Sequence, residues 1–203
     1  MADGRTVRGD RTRERVLAPS VELATVKGLE RLSFADLANA SGVSKAGIAT
    51  LFGSKQELQT AIAARARQIL DDRVFRLVLS APRGLTRLAT LGTVWLDYLA
   101  DPQLRGGCFF AAAFFEFDAQ PGPLREIVRD DMNRWLTGIQ SMIEDGQSMG
   151  EIVDSAYAAD EAFDFFSIGV TANAMIQLDL VDRPAVRARR VWRRHVELLR
   201  STP

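Results

Sequence analysis

An all-α chain of about nine helices is predicted by three observations. Apolar residues recur every three or four positions along most of the 203 residues, as on one face of a helix. No stretch alternates apolar and polar residues as a half-buried strand would. Pro82 with Gly84, Pro102, Pro121 with Pro123, and Pro184 all fall between the periodic runs, where a missing N–H and a fixed φ do least harm. With 47% hydrophobic residues, the chain can bury a substantial core, as one large domain or as a small one joined to a larger one.

Each element follows from its own pattern. The first ten residues are charged and read as a mobile arm. A helix is expected over 11–27, although Pro19 lies within it and should kink it or delay its start. Short helices at 34–41 and 45–51 and longer ones at 55–79, 85–100 and 103–116 follow. The clearest begins at Leu124, where Ile127, Val128, Met132, Trp135, Leu136, Ile139, Met142 and Ile143 share one face up to Gly146–Gly150. Two more are expected over 159–179 and 184–200. We divide the chain into a head, 10–70, and a body, 71–203.

Net charge is zero but unevenly spread. Met1 to Arg65 carries ten Lys/Arg against seven Asp/Glu; Asp101 to Asp182 carries four Arg against fifteen acids; Arg183 to Arg200 carries seven Arg and only Glu197. A basic head is what a phosphate-binding module requires. The N-terminus has no apolar run that would make a signal or an anchor, and Gly106–Phe115 is too short for a membrane span. One cysteine, Cys108, excludes an internal disulfide, and with a single histidine, His195, it cannot build a tetrahedral Cys/His zinc site. A cytoplasmic protein with no metal, no cofactor and no membrane partner is expected.

The stretch 33–52, "SFADLANASGVSKAGIATLF", holds the most specific signal. Ser33 with Asp36 makes a capping-box pattern, Gly42 supplies a turn, and Ser44 caps a second short helix. Val43, Ile48 and Leu51 then face inward, leaving Lys45, Ala46, Gly47 and Thr50 outward. Two short helices joined by a glycine turn form a helix-turn-helix, whose second helix enters the major groove of double-stranded DNA. Gly47, costly in a helix by about 1 kcal/mol, would let the backbone approach the duplex. Ser54 and Lys55 open the next helix, whose positive end would hold a phosphate. The DNA-binding set is therefore Ser33, Ser44, Lys45, Ala46, Gly47, Thr50, Ser54 and Lys55.

From Arg11 to Ala63, through "GLERLSFADLANASGVSKAGIATLFGSKQEL", the chain resembles the TetR-type transcriptional regulators, and "GGCFFAAAFFEFDAQPGPLRE" resembles the body of one subgroup. The resemblance implies nine helices, a three-helix DNA-binding head, and a body that dimerises through its last two helices and holds an effector pocket. The chain departs from the family pattern at Ala49 and Leu51, where an aromatic residue and a histidine are usual, and at Pro19.

The body's apolar residues yield the remaining expectations. The helix of 160–178 is apolar nearly all round, so it needs cover on two sides. A homodimer supplies the second, through Phe163, Val170, Ala174, Val191, Trp192 and Val196. Trp95, Tyr98, Phe110, Phe114, Trp135 and Phe166 would line a mostly apolar cavity for a small-molecule effector. Glu116 and Asp118 suit helix-end capping, and Cys108 suits a small buried hydrophobe. The adjacent pairs Asp71–Asp72 and Asp130–Asp131 look like solvated faces. The expected function is a DNA-binding regulator, most simply a ligand-responsive repressor bound as a homodimer to a near-palindromic operator. A ligand-binding adaptor with impaired DNA binding is the alternative; a small helical enzyme, with Cys108 and His195 as its one nucleophile pair, is the third class.

Overall fold

The computed structural model describes residues 4–201, with side chains from Gly9 onward, and among them there are nine helices and no strand beyond one isolated bridge, Ile152 to Arg200. Helix α1 spans Gly4–Lys27, α2 Phe34–Ser41 and α3 Lys45–Phe52. Helix α4 runs Lys55–Leu70, passes through a π-helical turn at Asp71–Phe75 and resumes over Arg76–Ser80. The body comprises α5 (Leu85–Leu99), α6 (Phe109–Phe117), α7 (Pro123–Ser148), α8 (Ala158–Gln177) and α9 (Pro184–Leu199). The division expected after residue 70 falls within the continuous α4, at the start of its π turn.

The N-terminus differs from expectation. Met1–Asp3 lie outside the described residues, but Gly4–Asp10 are helical, and α1 starts well before Pro19 rather than after it. Pro19 offers no N–H to the helix, and beside it Ser20 turns its hydroxyl onto the Leu17 carbonyl at 2.7 Å. The other departure is at 103–108, expected to be helical and found as turns. Gly106 and Gly107 there have φ of +78° and +75°, and a Cβ on Gly106 would stand 2.7 Å from the Thr25 backbone. The loop is therefore wedged against α1, a close approach only glycine permits.

The caps expected in the head are present. Ser33 and Asp36 form a reciprocal capping box, as do Ser54 and Glu57, while Ser44 accepts the Gly47 N–H. Gly42 ends α2 in the left-handed conformation. Val16, Val21, Leu29, Leu37, Ile48 and Ile62 close the head core. Of the inward set Val43, Ile48 and Leu51, Ile48 is buried and the other two are half-buried, while Phe52, which the pattern does not place inward, is buried.

In the body, α7 lies against α6 and α8, and α5 lies against α8 and α9. Trp95 and Trp135 meet at 4.2 Å between ring centroids, and Phe75 meets Trp135 at 4.7 Å. Trp192 packs on Gly92 so tightly that a Cβ there would come within 2.2 Å of its indole nitrogen, which donates to the Leu88 carbonyl. Asp131 corrects the expectation of a solvated pair: Asp130 is exposed, but Asp131 is buried between Arg67 at 2.9 Å and Arg134 at 3.1 Å. Burial raises its carboxyl above the usual range, and the two guanidiniums only partly offset this.

Candidate nucleic-acid interface and ligand cleft

Helix α3 turns Ile48 and Phe52 into the head core and leaves Lys45, Ala46 and Thr50 exposed. Lys45 has no ion-pair or hydrogen-bond partner among the described residues, so its ammonium is free to meet an anion. The Thr50 hydroxyl donates to the Ala46 carbonyl at 2.9 Å, leaving its methyl group and an acceptor lone pair facing out. Gly47 is tight within its own turn as well, for a Cβ would stand 3.1 Å from the Ser44 hydroxyl and 3.3 Å from the Val43 side chain. The N-cap geometry thus gives a second reason for glycine there, independent of DNA.

Ser33, Ser44 and Ser54 sit at three exposed helix N-termini, where main-chain N–H groups and the helix dipole favour anions. Lys55 is less free than its position in the sequence implies. Its ammonium donates to the Glu30 carbonyl at 2.5 Å and to the Glu30 carboxylate at 3.0 Å. That contact, with the Gln59 amide, holds the Glu30 carboxyl below its ordinary range. Arg31 was not singled out from the sequence, yet it is exposed between α1 and α2 with no partner among the described residues. Its charge in the basic head was the one signal for it. Arg13 is spent inside the head, over the Phe52 ring at 4.4 Å and on the Leu51 carbonyl.

Head and body meet through a contact the sequence did not reveal. The Glu116 carboxylate, near the end of α6, accepts the main-chain N–H of Leu29 at 2.9 Å and of Glu30 at 2.8 Å. It therefore caps a turn of the head 86 residues away rather than its own helix end. Gly28, with φ of +88°, brings that turn against the carboxylate. Thr25 donating to the Arg105 carbonyl at 2.7 Å and Arg67 paired with Asp131 complete the junction.

The six aromatics assigned to a ligand cavity divide. Phe114 and Phe166 line a cleft of about 360 Å3 between α6, α7 and α8, with Phe117, Asp118, Met132 and Phe163. Trp95, Phe110 and Trp135 are instead buried in the close-packed core, and Tyr98, also buried, borders a different cleft of about 420 Å3 with Arg73, Leu77 and Val94. The Trp95 indole N–H is buried without an acceptor. Burial drives the Tyr98 hydroxyl far above its ordinary range. Cys108 is 2% exposed, and burial pushes its thiol up to about 11.

The six dimer residues also divide. Phe163 is 64% exposed, Val191 is exposed and Ala174 half-buried. Val170, Trp192 and Val196 are corrected: all three are in the protomer's own core, on the side of α8 and α9 facing α5 and α7. The outer side of α8 and α9 carries an apolar groove of about 450 Å3 lined by Ile168, Ala172, Met175, Ala188 and Val191, with His195 at its margin. His195 contacts the Glu161 carboxylate at 2.6 Å, and Asp164 lies 4.0 Å away. No contact among the described residues joins His195 to Cys108. No helix of the described residues is long and apolar enough to cross a membrane.

Comparison with known proteins agrees with this architecture. Residues 16–66 match the model for bacterial regulatory proteins of the tetR family, and residues 84–192 match a tetracyclin repressor-like C-terminal domain. No curated protein sequence matches the chain. A TetR transcriptional regulator from Chloroflexus aurantiacus superposes with a TM-score of 0.88 at 25% identity, over 96% of this chain and 99% of that one. A TetR-family regulator from Cytophaga hutchinsonii gives 0.83 at 17% identity, over 97% and 98%. The regulator CifR, solved with a 26-bp double-stranded operator DNA, gives 0.76 at 16% identity, over 92% and 95%. A free lysine on an exposed second helix, a capped three-helix head and two family models that together span both regions place this chain in the TetR family of DNA-binding transcriptional regulators, to which it belongs.

Proposed function

We propose that the protein is a ligand-responsive repressor that binds a near-palindromic operator as a homodimer. The observation that carries this reading is the outer face of α3, where unpartnered Lys45 stands beside Ala46 and Gly47 at the helix N-terminus. In a helix-turn-helix, that end of the second helix meets base edges. Lys45 reaches a phosphate or a guanine edge, and Thr50 offers its methyl to a thymine. Ser33, Ser44 and Ser54 mark main-chain phosphate contacts, while Lys55 must first leave Glu30 to join them. Two heads reading two half-sites require a symmetric pair, and the groove between α8 and α9 is the apolar face that such a pair would cover.

The effector enters the aromatic cleft beside Phe114 and Phe166. Helix α6 carries both a wall of that cleft and Glu116. A ligand that shifts α6 therefore shifts the head turn that Glu116 holds, by as much as the ligand's differential affinity for the two arrangements allows.

The test is to mix purified protein with fragmented genomic DNA of its host at moderate salt, with Lys45→Ala in parallel, and sequence what is retained. A recurring near-palindrome held by the parent and lost by the variant is expected, with a cost of about 1–3 kcal/mol to operator binding and an intact dimer. Unchanged affinity would overturn the placement of α3 on the bases. Absence of enrichment, with and without cell extract as effector source, would favour the adaptor.

A further inference from the structure

A further cavity, separate from the aromatic cleft and from the groove between α8 and α9, lies between α5 and α9 and has a volume of about 1010 Å3. Its two walls differ in character. Helix α9 contributes Arg190, Arg193 and Arg194, at i, i+3 and i+4 on one side of the helix, followed by Arg200. Helix α5 contributes Leu85, Ala89 and Val94 together with Thr86, Thr90 and Thr93. The Thr90 hydroxyl donates back to the Thr86 carbonyl at 2.8 Å and that of Thr93 to Ala89 at 3.3 Å. Both therefore present methyl groups and lone pairs to the cavity and leave no donor proton on offer.

Among the described residues, the positive charge on the α9 wall exceeds the negative charge that reaches the cavity. Two carboxylates reach the cavity, and both are engaged. Glu151 accepts the Leu85 N–H at 2.8 Å, at the start of α5, and Glu197 is held by Arg200 at 3.0 and 3.2 Å. Arg190 and Arg194 have no hydrogen-bond or ion-pair partner among the described residues, and Arg193 has only a long contact to the Arg189 carbonyl at 3.4 Å. Like charges at such spacings destabilise a helix by a few tenths of a kcal/mol per pair. An anion bridging the guanidiniums removes that cost, and guanidinium forks suit the planar oxygens of carboxylate and phosphate groups.

We propose that this cavity binds a small amphipathic organic anion. Its carboxylate or phosphate head sits on Arg190, Arg193 and Arg194, and its apolar body lies along Leu85, Ala89, Val94 and Val196. An inorganic anion satisfies one wall only, and a neutral hydrocarbon only the other.

Calorimetric titration of the full chain with decanoate, decyl phosphate, 1-decanol and inorganic phosphate tests this. Decanoate or decyl phosphate binds, the stronger of the two identifying the head group, and binding weakens as sodium chloride is raised. The Arg190→Ala/Arg194→Ala variant loses at least tenfold in affinity. Arg76→Ala/Arg105→Ala, two exposed positions outside the cavity with the same change in net charge, does not. Circular dichroism confirms that both variants stay helical. Equal binding by the two variants, equal binding of 1-decanol, or no binding of either amphiphile at millimolar concentration would overturn the proposal. So would loss of dimer mass in the Arg190/Arg194 variant alone, which would make these arginines part of a contact between copies.

Discussion

Cys108 is chemically quiet for a reason visible in its surroundings. Its thiol is enclosed and its ionisation is pushed up to about 11 by burial, so almost none is thiolate at neutral pH, and thiolate is the reactive form. Native protein should react with a disulfide reagent such as DTNB orders of magnitude more slowly than urea-unfolded protein, and Cys108→Ala should leave operator binding unchanged. Fast stoichiometric labelling of the native state would refute the burial argument. Gly92 makes the opposite case, a position where adding one methyl group is severe. A Cβ there overlaps the Trp192 indole, which is fixed by its bond to Leu88. Gly92→Ala should cost about 1–3 kcal/mol or more, read as a lower midpoint in urea, because a packed core yields only by straining rotamers.

Elements show where electrostatics hold the head. Lys27 beside Asp36, with the Ser33 hydroxyl and N–H, keeps the Asp36 carboxyl well below the usual carboxylate range. A depressed folded value means stability that is present above the ordinary carboxylate pKa of about 3.9 and lost as pH falls through the lower folded value. Asp36→Asn should therefore lower the thermal midpoint at neutral pH, with the difference from the parent shrinking steadily once the pH drops below about 4. At the junction, Glu116→Gln removes the charge and turns one of its two acceptors into a donor facing an N–H. Hydrogen exchange at Leu29 and Glu30 should accelerate about tenfold or more, since a hydrogen bond to a charged group contributes about 1.5–3 kcal/mol. Exchange within α7 should not change.

At the scale of the whole molecule, the proposed dimer places a partner at α8 and α9. Ile168→Asp with Val191→Asp places charge in the groove between those helices and should yield a monomer by sedimentation, with helical content kept and operator affinity reduced at least a hundredfold. A variant that stays dimeric would show that the copies meet elsewhere. Much of this molecule was legible in the sequence, because helices follow from short-range periodicity and caps. All nine helices and the three serine caps are of that kind, as is the outward set on α3. What was not legible needs long-range contact. Nothing local marks Glu116 as a ligand of Leu29 and Glu30 or Trp192 as core, since each depends on a helix remote in sequence; Asp131 does fall on the apolar face of its helix, three residues after Val128 and four before Trp135, but its partner Arg67 is remote. The aromatic set failed for a related reason: composition signals that aromatics cluster and does not say whether they close a core or leave a space.

The bond from Glu116 to the head is made entirely to main chain on the head side. Main chain is the one part of a protein that every sequence shares. A different three-helix head could be grafted in front of this body and still be gripped, provided it keeps a glycine where Gly28 stands, two successive amides after it, and the Thr25 and Arg67 side chains that complete the junction. The junction is thus a standard fitting, indifferent to which DNA sequence the attached head reads, and a lineage could exchange its operator while keeping its sensor.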